Sequence, residues 1–404
     1  MNVVSRTRSF LSHGTTTTSC SPISRTRFDP FNHGTTTIEH RVVSPEVHSR
    51  LSRVLYDHWH LRATDIQQTS SSAEITSNNF RVVDSSNLKG NLKLSKINDP
   101  ETQAVVNAIV QYCFFMELPV PTLIRTQNKK TYVVDGKDVF VLHYFIGGTH
   151  FDGSREELIF TAQGMARLHH VFNTMPIGLV ESDQCDRRVL TASSRDIAHS
   201  VTSPQIPQFV DEKKGNFAHD RNEFEALMRT VRGRGTRTEF DAEVLSILDE
   251  VNDASRLVCG VQLDQLPTQP IHSDLHPHHV IFDPKTKELL VILDFDHVHF
   301  SQRARDIGWT MHRFARTYGA QTEMNLDNGA DILDRARLFL EMYSRINQIG
   351  DSEVRAIPLL LADEAIRRVM IILRLNYIDG NPAWNFDLAK QVTMLREAAL
   401  FENL

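Results

Sequence analysis

The spacing of apolar residues changes character once along the chain, near Gly147. Before that point short apolar runs alternate with turn residues. After it, apolar positions recur every three to four residues, the period of a helix buried on one face. Ser44 to Asp65 reads as an amphipathic helix. A Ser/Thr/Asn stretch from Thr69 to Asn79 follows, and then Phe80-Arg81-Val82-Val83 and Leu92 to Ile97 read as two strands joined by a turn near Asn87 to Asn91. Asp99 is suited to cap a helix whose first position is Pro100. Val105, Ala108, Ile109, Tyr112 and Met116 keep helical spacing until Pro119 stops it, and this helix is expected to pack on the strands. Tyr132 to Leu142 holds two strand-like runs around Asp135-Gly136, the strongest short hairpin signal in the sequence.

Beyond Gly147, Ser154 and Glu157 have the spacing of a capping box, and Leu158, Ala162, Met165, Leu168 and Phe172 continue as a helix. A polar loop from about Thr191 to Gly215 precedes helices near 220–232, 239–257, 303–318, 330–347 and 353–376, and Trp384 to Phe401 reads as a closing helix. One β interruption stands out. His279 to Phe282 and Glu288 to Asp294 are short apolar strands around the turn Asp283 to Lys287, a hairpin inside helical surroundings. The fold class is therefore α+β: a Ser/Thr/Arg-rich disordered arm over 1–43, a small β-rich unit over 44–147 and a larger, mainly helical unit over 148–404. Within the arm, Ser5-Arg6-Thr7-Arg8 with His13-Gly14-Thr15 returns about twenty residues later as Ser24-Arg25-Thr26-Arg27 with His33-Gly34-Thr35. It lacks the apolar segment of a secretory signal; an organelle transit peptide ranks below a disordered arm.

Composition narrows the classes. At 404 residues and 41% hydrophobic the chain has material for one large domain or two to three ordinary ones, which excludes disorder throughout. Forty-four Lys and Arg against 50 Asp and Glu give a net charge of -6, so no global basic surface attracts nucleic acid or anionic lipid. The four cysteines, Cys20, Cys113, Cys185 and Cys259, form no C-x-x-C pair, which fits neither a thiolate zinc site nor a disulfide framework and points to the reducing cytoplasm. The longest apolar runs, Leu289 to Leu293 and Val369 to Leu373, fall far short of the ~18 residues that cross a bilayer. A membrane partner is not expected.

Chemistry gathers around the internal hairpin. His272, Asp274, His276, His278 and His279 precede it; Asp294, Asp296, His297 and His299 follow. A hairpin with exposed ends can collect polar side chains, but here two clusters stand at the two ends that pairing brings together. Asp274 and Asp294 can therefore share one site although twenty positions separate them. Two converging carboxylates suit metal-assisted phosphoryl transfer, one orienting a substrate hydroxyl and the other holding Mg²⁺ at nucleotide phosphates. A second reading takes His272, Asp274, His276, His278 and Asp294 as a transition-metal hydrolase cluster.

The run His272-Ser273-Asp274-Leu275-His276-Pro277-His278-His279, then Val291-Ile292-Leu293-Asp294-Phe295-Asp296, then Arg303 and Arg305-Asp306-Ile307, resembles the core of the aminoglycoside phosphotransferase and choline kinase superfamily. The resemblance covers roughly residues 70 to 320, and it implies a two-lobed, protein-kinase-like fold with a nucleotide-binding lobe over 44–147 and a catalytic and acceptor lobe over 148–404. Its implied cofactors are ATP and Mg²⁺, and its implied partner is a small molecule bearing a hydroxyl. It implies Asp274 as catalytic base, Asp294 as the principal Mg²⁺ ligand with His279 beside it, and His272 and Asp306 as supports of the catalytic loop. Lys96 is implied as the lysine on the nucleotide phosphates, with Lys93 as the other register. His143 to Ile146, including Tyr144, is implied as the interlobe linker that reads the adenine edge with backbone groups.

Three departures from the family pattern bear on activity. His279 stands where the family has Asn, and imidazole favours softer metals than Mg²⁺. The phosphate-covering loop, expected at about Ser70 to Asn79, has no glycine. Asn107 stands near the place of the Glu that would orient the lysine, with Glu101 as an imperfect substitute. Two functions remain: an ATP-dependent small-molecule kinase, or a nucleotide-binding pseudokinase. Asp363 and Glu364 are either an attraction for a cationic amine acceptor or a solvated helix face.

Overall fold

A computed structural model describes residues 39–70, 79–97, 99–175, 221–235, 237–259, 265–321 and 329–404. Most of the expected arm, the interior of the phosphate-covering loop and the polar loop from Thr191 to Gly215 lie outside the described residues. The end of the arm is an exception to the expected disorder. Glu39–Val42 forms an edge strand, β1, because β2 (Ala63–Ser70) offers it a free ladder, with Glu39 opposite Ser70.

Between them lies helix α1 (Pro45–Trp59), started by the Ser44 side chain, which accepts from the Val47 amide. The helix is shorter than the apolar pattern suggested: His60 takes a left-handed conformation and ends it, so Ala63 to Asp65 enter β2. β3 (Asn79–Asp84), β4 (Lys89–Leu94), β5 (Val133–Asp135) and β6 (Asp138–Tyr144) complete a six-stranded antiparallel sheet in the order β1-β2-β3-β4-β6-β5. The β5–β6 turn is the expected one, with Gly136 at φ +66° and Asp135 facing Asp138.

Leu51, Val54, Leu55 and Trp59 of α1 share a core with Phe80, Val82, Leu92, Phe140 and Leu142 of the sheet. The expected strand-packing helix, α2 (Pro100–Phe115), is present and capped by Asp99, but its Val106, Val110 and Cys113 join the larger helical core instead. The two helices therefore serve different ends: α1 closes the sheet, and α2 ties it to the helical core.

The larger core is built by α3 (Arg155–Thr174), α4 (Arg221–Gly233), α5 (Glu239–Cys259), α6 (Arg303–Gln321), α7 (Gly329–Ser344), α8 (Asp351–Tyr377) and α9 (Leu388–Glu397). The capping box at α3 is half formed. Ser154 accepts from the Glu157 amide, whereas the Glu157 carboxylate takes the Asp152 amide and Lys287. The internal hairpin is present as β8 (Val280–Phe282) and β9 (Leu289–Ile292), and a second pair, β7 (Thr268–Ile271) with β10 (His299–Gln302), brackets it. Among the described residues no helix is long and apolar enough to cross a membrane.

Candidate active site

The β8–β9 ladder sets Val280 opposite Ile292, so the residues before the first strand lie beside those after the second. The Leu293 amide donates to the His279 carbonyl at 2.8 Å, which continues that closure one step further. Asp294 follows with φ +58°, ψ +70°, a left-handed conformation that costs a residue with a side chain about 1 kcal/mol or more. That reversal turns the Asp294 carboxylate out of the strand direction and into the space between sheet and helices.

On the other side, Asp274 is carried by a loop that Asp306 anchors. The Asp306 carboxylate, in the first turn of α6, accepts the amides of His272 at 2.7 Å and Ser273 at 2.9 Å, and it also contacts His169 Nε2 at 3.0 Å. These contacts hold its carboxyl below the ordinary range despite complete burial. His272 Nε2 donates to the Leu293 carbonyl at 2.9 Å, tying the Asp274 loop to the Asp294 strand. Both supports named from the sequence thus lie beneath the site, connecting its two halves.

The sheet enters through Lys93. In β4 its neighbour Leu92 is buried in the sheet core, and alternation directs Lys93 to the opposite side. Its Nζ lies 2.8 Å from Asp294 Oδ1 and 2.8 Å from Asp296 Oδ2. The two carboxylates raise the Lys93 ammonium against the effect of burial, and Lys93 holds Asp294 well below the usual carboxylate range. Lys96, the position expected to enter the site, is exposed beyond the end of β4, although Asp294 still feels its charge. Lys93 is therefore the lysine in contact with Asp294. Asn107 does not orient it: that amide accepts from Gln103 and donates to the Thr131 carbonyl, and Asp296 holds the lysine instead.

Lys93, His143, Ile146, Ile281, Leu293 and Asp294 are among the residues lining a cleft between the sheet and the hairpin. Burial and the Lys93 charge push His143 down to about 3, so its imidazole is neutral at ordinary pH. Tyr144 also lines the cleft, but its amide donates to the Thr122 carbonyl, and the Phe145 amide donates to Lys89. Those two linker N–H groups are taken by backbone carbonyls of the small lobe, which removes them from the set expected to read a base edge.

His279 connects the two aspartates. Its Nδ1 lies 2.8 Å from the Asp274 carbonyl, which only accepts, so Nδ1 carries a proton. Its Nε2 then faces Asp294 Oδ2 at 3.3 Å. Two electron-pair donors in that arrangement need a second proton or a metal ion between them. The donor set, one carboxylate and one imidazole with phosphate oxygens to complete it, fits a divalent cation and departs from all-oxygen Mg²⁺ sites toward Mn²⁺. Asp274, His276 and His279 also offer ligand atoms within 4.8 Å of one another. Of the residues in the hydrolase reading, His272 is turned to the Leu293 carbonyl and His278 packs edge-on against His150, so the five do not converge.

Asp274 itself is bound by Arg368 of α8, whose Nη2 lies 3.2 Å from Oδ1; this guanidinium, with His279, holds the carboxyl below its ordinary value against burial. Arg368 donates to Glu364 at 2.9 Å and lies 3.7 Å over the Trp309 ring. The sequence reading missed Arg368, Trp309, Arg313 and Lys390, because they come from α6, α8 and α9 at ordinary helical positions with no local motif. Asp363 and Glu364 are neither a solvated face nor a free attraction for amines. Asp363 is buried at 2.6 Å from Arg305, and Glu364 pairs Arg368.

The sequence matches the family model described as the phosphotransferase enzyme family over residues 114–339. The fold is similar to that of an aminoglycoside phosphotransferase from Alicyclobacillus acidocaldarius, with TM-score 0.56 and 14% identity over 90% of this chain and 96% of that one. An amicoumacin kinase in complex with AMP-PNP, Ca²⁺ and Ami gives TM-score 0.55 and 13% identity over 89% and 96%. A microcompartment-associated aminopropanol kinase gives 0.53 and 12% over 88% and 96%. At these identities the likeness is one of fold. No curated protein sequence matches the chain.

Proposed function

The chain belongs to the phosphotransferase enzyme family, and from that premise we propose that it transfers the γ-phosphoryl group of ATP to a hydroxyl of a small molecule. The observation that carries this reading is the bridge from sheet to hairpin, Lys93 Nζ to Asp294 Oδ1 at 2.8 Å, with Asp274 one imidazole away through His279. Lys93 from one side and Asp294 and Asp296 from the other meet at a cleft lined by apolar residues such as Val141, Ile281 and Leu293. That is what a nucleotide requires: an apolar slot for the base and fixed charge at the phosphates.

In this reading Lys93 shares its charge with the phosphates, and Asp294 with His279 holds the divalent cation, which supplies charge neutralisation at the phosphates when bound. Asp274 accepts a hydrogen bond from the acceptor hydroxyl. Because Arg368 and His279 keep the carboxyl ionised, it is a weak base in the ground state and mainly orients the nucleophile. The acceptor oxygen forms its bond to the γ-phosphorus, the bond from that phosphorus to the bridging oxygen breaks, ADP leaves, and the hydroxyl proton passes to Asp274. The late proton transfer suits the loose transition state of phosphoryl transfer. A cytoplasmic setting belongs to the same reading.

Asp274→Asn tests it. The variant should bind Mg-ATP as the parent does and lose about 10²–10⁴ in kcat; an unchanged kcat would refute the assignment. The pseudokinase reading is favoured by one observation, His279 at the metal position. Titration with Mg-ATP followed by turnover over a range of hydroxyl compounds separates the two, since binding without transfer to any acceptor selects the pseudokinase.

A further inference from the structure

Three of the helix-borne groups around Asp274 are cations. Arg368 contacts its carboxylate at 3.2 Å, and Arg313 of α6 and Lys390 of α9 both feel the Asp274 charge. Arg313 and Arg368 are fixed by the same ring, their guanidinium carbons 4.1 Å and 3.7 Å from the Trp309 centroid. The side chains of Arg368 and Lys390 keep 26% and 21% exposure, enough for a ligand to reach them. The carboxylates nearby are already engaged: Glu364 with Arg368 at 2.9 Å, Asp363 with Arg305 at 2.6 Å, and Asp387 with Lys390 at 3.5 Å and with the Gln391 amide. A cationic amine arriving here would meet three positive groups and paired acids.

We infer that the acceptor is a hydroxy acid, its carboxylate received by Lys390, Arg313 and Arg368 while its hydroxyl lies at Asp274. Stacked, pre-oriented guanidinium groups suit planar carboxylate recognition, and Lys390 adds a point charge. Burial together with Arg313 and Arg368 pushes the Lys390 ammonium down to about 8, even with Asp387 at 3.5 Å and Asp274 nearby. The inference rests on the phosphotransferase reading and narrows its substrate class.

The test compares matched pairs on the full chain with Mg-ATP: glycerate against 3-aminopropane-1,2-diol, and 4-hydroxybutyrate against 4-aminobutan-1-ol, with ADP release as the readout. Hydroxy acids should be preferred. Lys390→Met should raise their KM by about tenfold to a hundredfold, the loss of one charged hydrogen bond, with kcat and the KM for ATP little changed. Lys390→Arg should restore most of the affinity. Preference for the amino alcohols, or an unchanged hydroxy-acid KM in Lys390→Met, overturns the inference. If Mg-AMP-PNP binds and no hydroxy acid is turned over or bound, the inference fails while the nucleotide site stands. If Mg-AMP-PNP itself does not bind, the phosphotransferase reading fails, and calorimetric titration of glycerate into the parent and Lys390→Met still decides this one: binding weakened in the variant supports it, and equal or absent binding overturns it.

Discussion

Lys93 sits between Asp294 and Asp296 with a side chain only 15% exposed, so its removal leaves two carboxylates facing each other in a poorly solvated place. Lys93→Met should raise the KM for Mg-ATP by about a hundredfold or more, whereas Lys96→Met should change it by less than about threefold, because an exposed charge is screened. Equal effects in steady-state kinetics would reverse the assignment of the two lysines. The sequence shows both on one apparent strand, three positions apart, and only the end of β4 at Leu94, which leaves Lys96 exposed, separates them. His279 gives a second expectation: its imbalance toward nitrogen ligation should make Mn²⁺ support turnover better than Mg²⁺, and His279→Asn should lower the Mn²⁺/Mg²⁺ ratio of kcat/KM by about tenfold. For Lys390 the sign follows from its lowered value. Facing Arg313 from α6, Arg368 from α8, and Asp387 and Asp274, it is charged below about pH 8 and neutral above. The hydroxy-acid KM should therefore rise as pH passes upward through about 8 in the parent and stay flat in Lys390→Arg.

At the scale of elements, the site depends on short ladders that few local signals mark. The β8–β9 hairpin was legible, since two apolar runs flank a turn of Asp, Pro, Lys and Thr. β7 was not: Thr268-Gln269-Pro270-Ile271 shows no apolar alternation and contains a proline, which is tolerated because its only partner among the described residues is β10. The strand matters because His272 follows it directly. Asp306 then holds the next two amides, and Asp306→Ala should cost about 2–5 kcal/mol, read as a lower urea midpoint, by leaving those amides and His169 without their acceptor. A midpoint equal to the parent's would contradict the role assigned to Asp306. Gly148 is a comparable point of close approach. A Cβ there would lie 2.4 Å from Ile281 and 2.5 Å from the Phe282 carbonyl, beside the Thr149–Phe282 bridge.

For the molecule as a whole, the change of period at Gly147 was enough to read an α+β chain with a β-rich beginning and a helical remainder, and the convergence of Asp274 and Asp294 followed from the hairpin between them, whereas His272 and Asp306 entered as supports only through the family resemblance. The surroundings of Asp274 were not readable in the same way. Trp309, Arg313, Arg368 and Lys390 are far apart in sequence, and only the packing of α6, α8 and α9 against one another brings their charges to one place. If the cleft binds nucleotide, Mg-AMP-PNP at a hundred times its Kd should add about 2.7 kcal/mol to the folded state and raise Tm by several degrees. The most direct test is the transfer itself, followed as ADP release with an accepted hydroxyl compound, in the parent and in Asp294→Ala. Turnover in the parent that falls to background in Asp294→Ala is the expected result; an Asp294→Ala variant that still transfers phosphate at the parental rate would contradict the account.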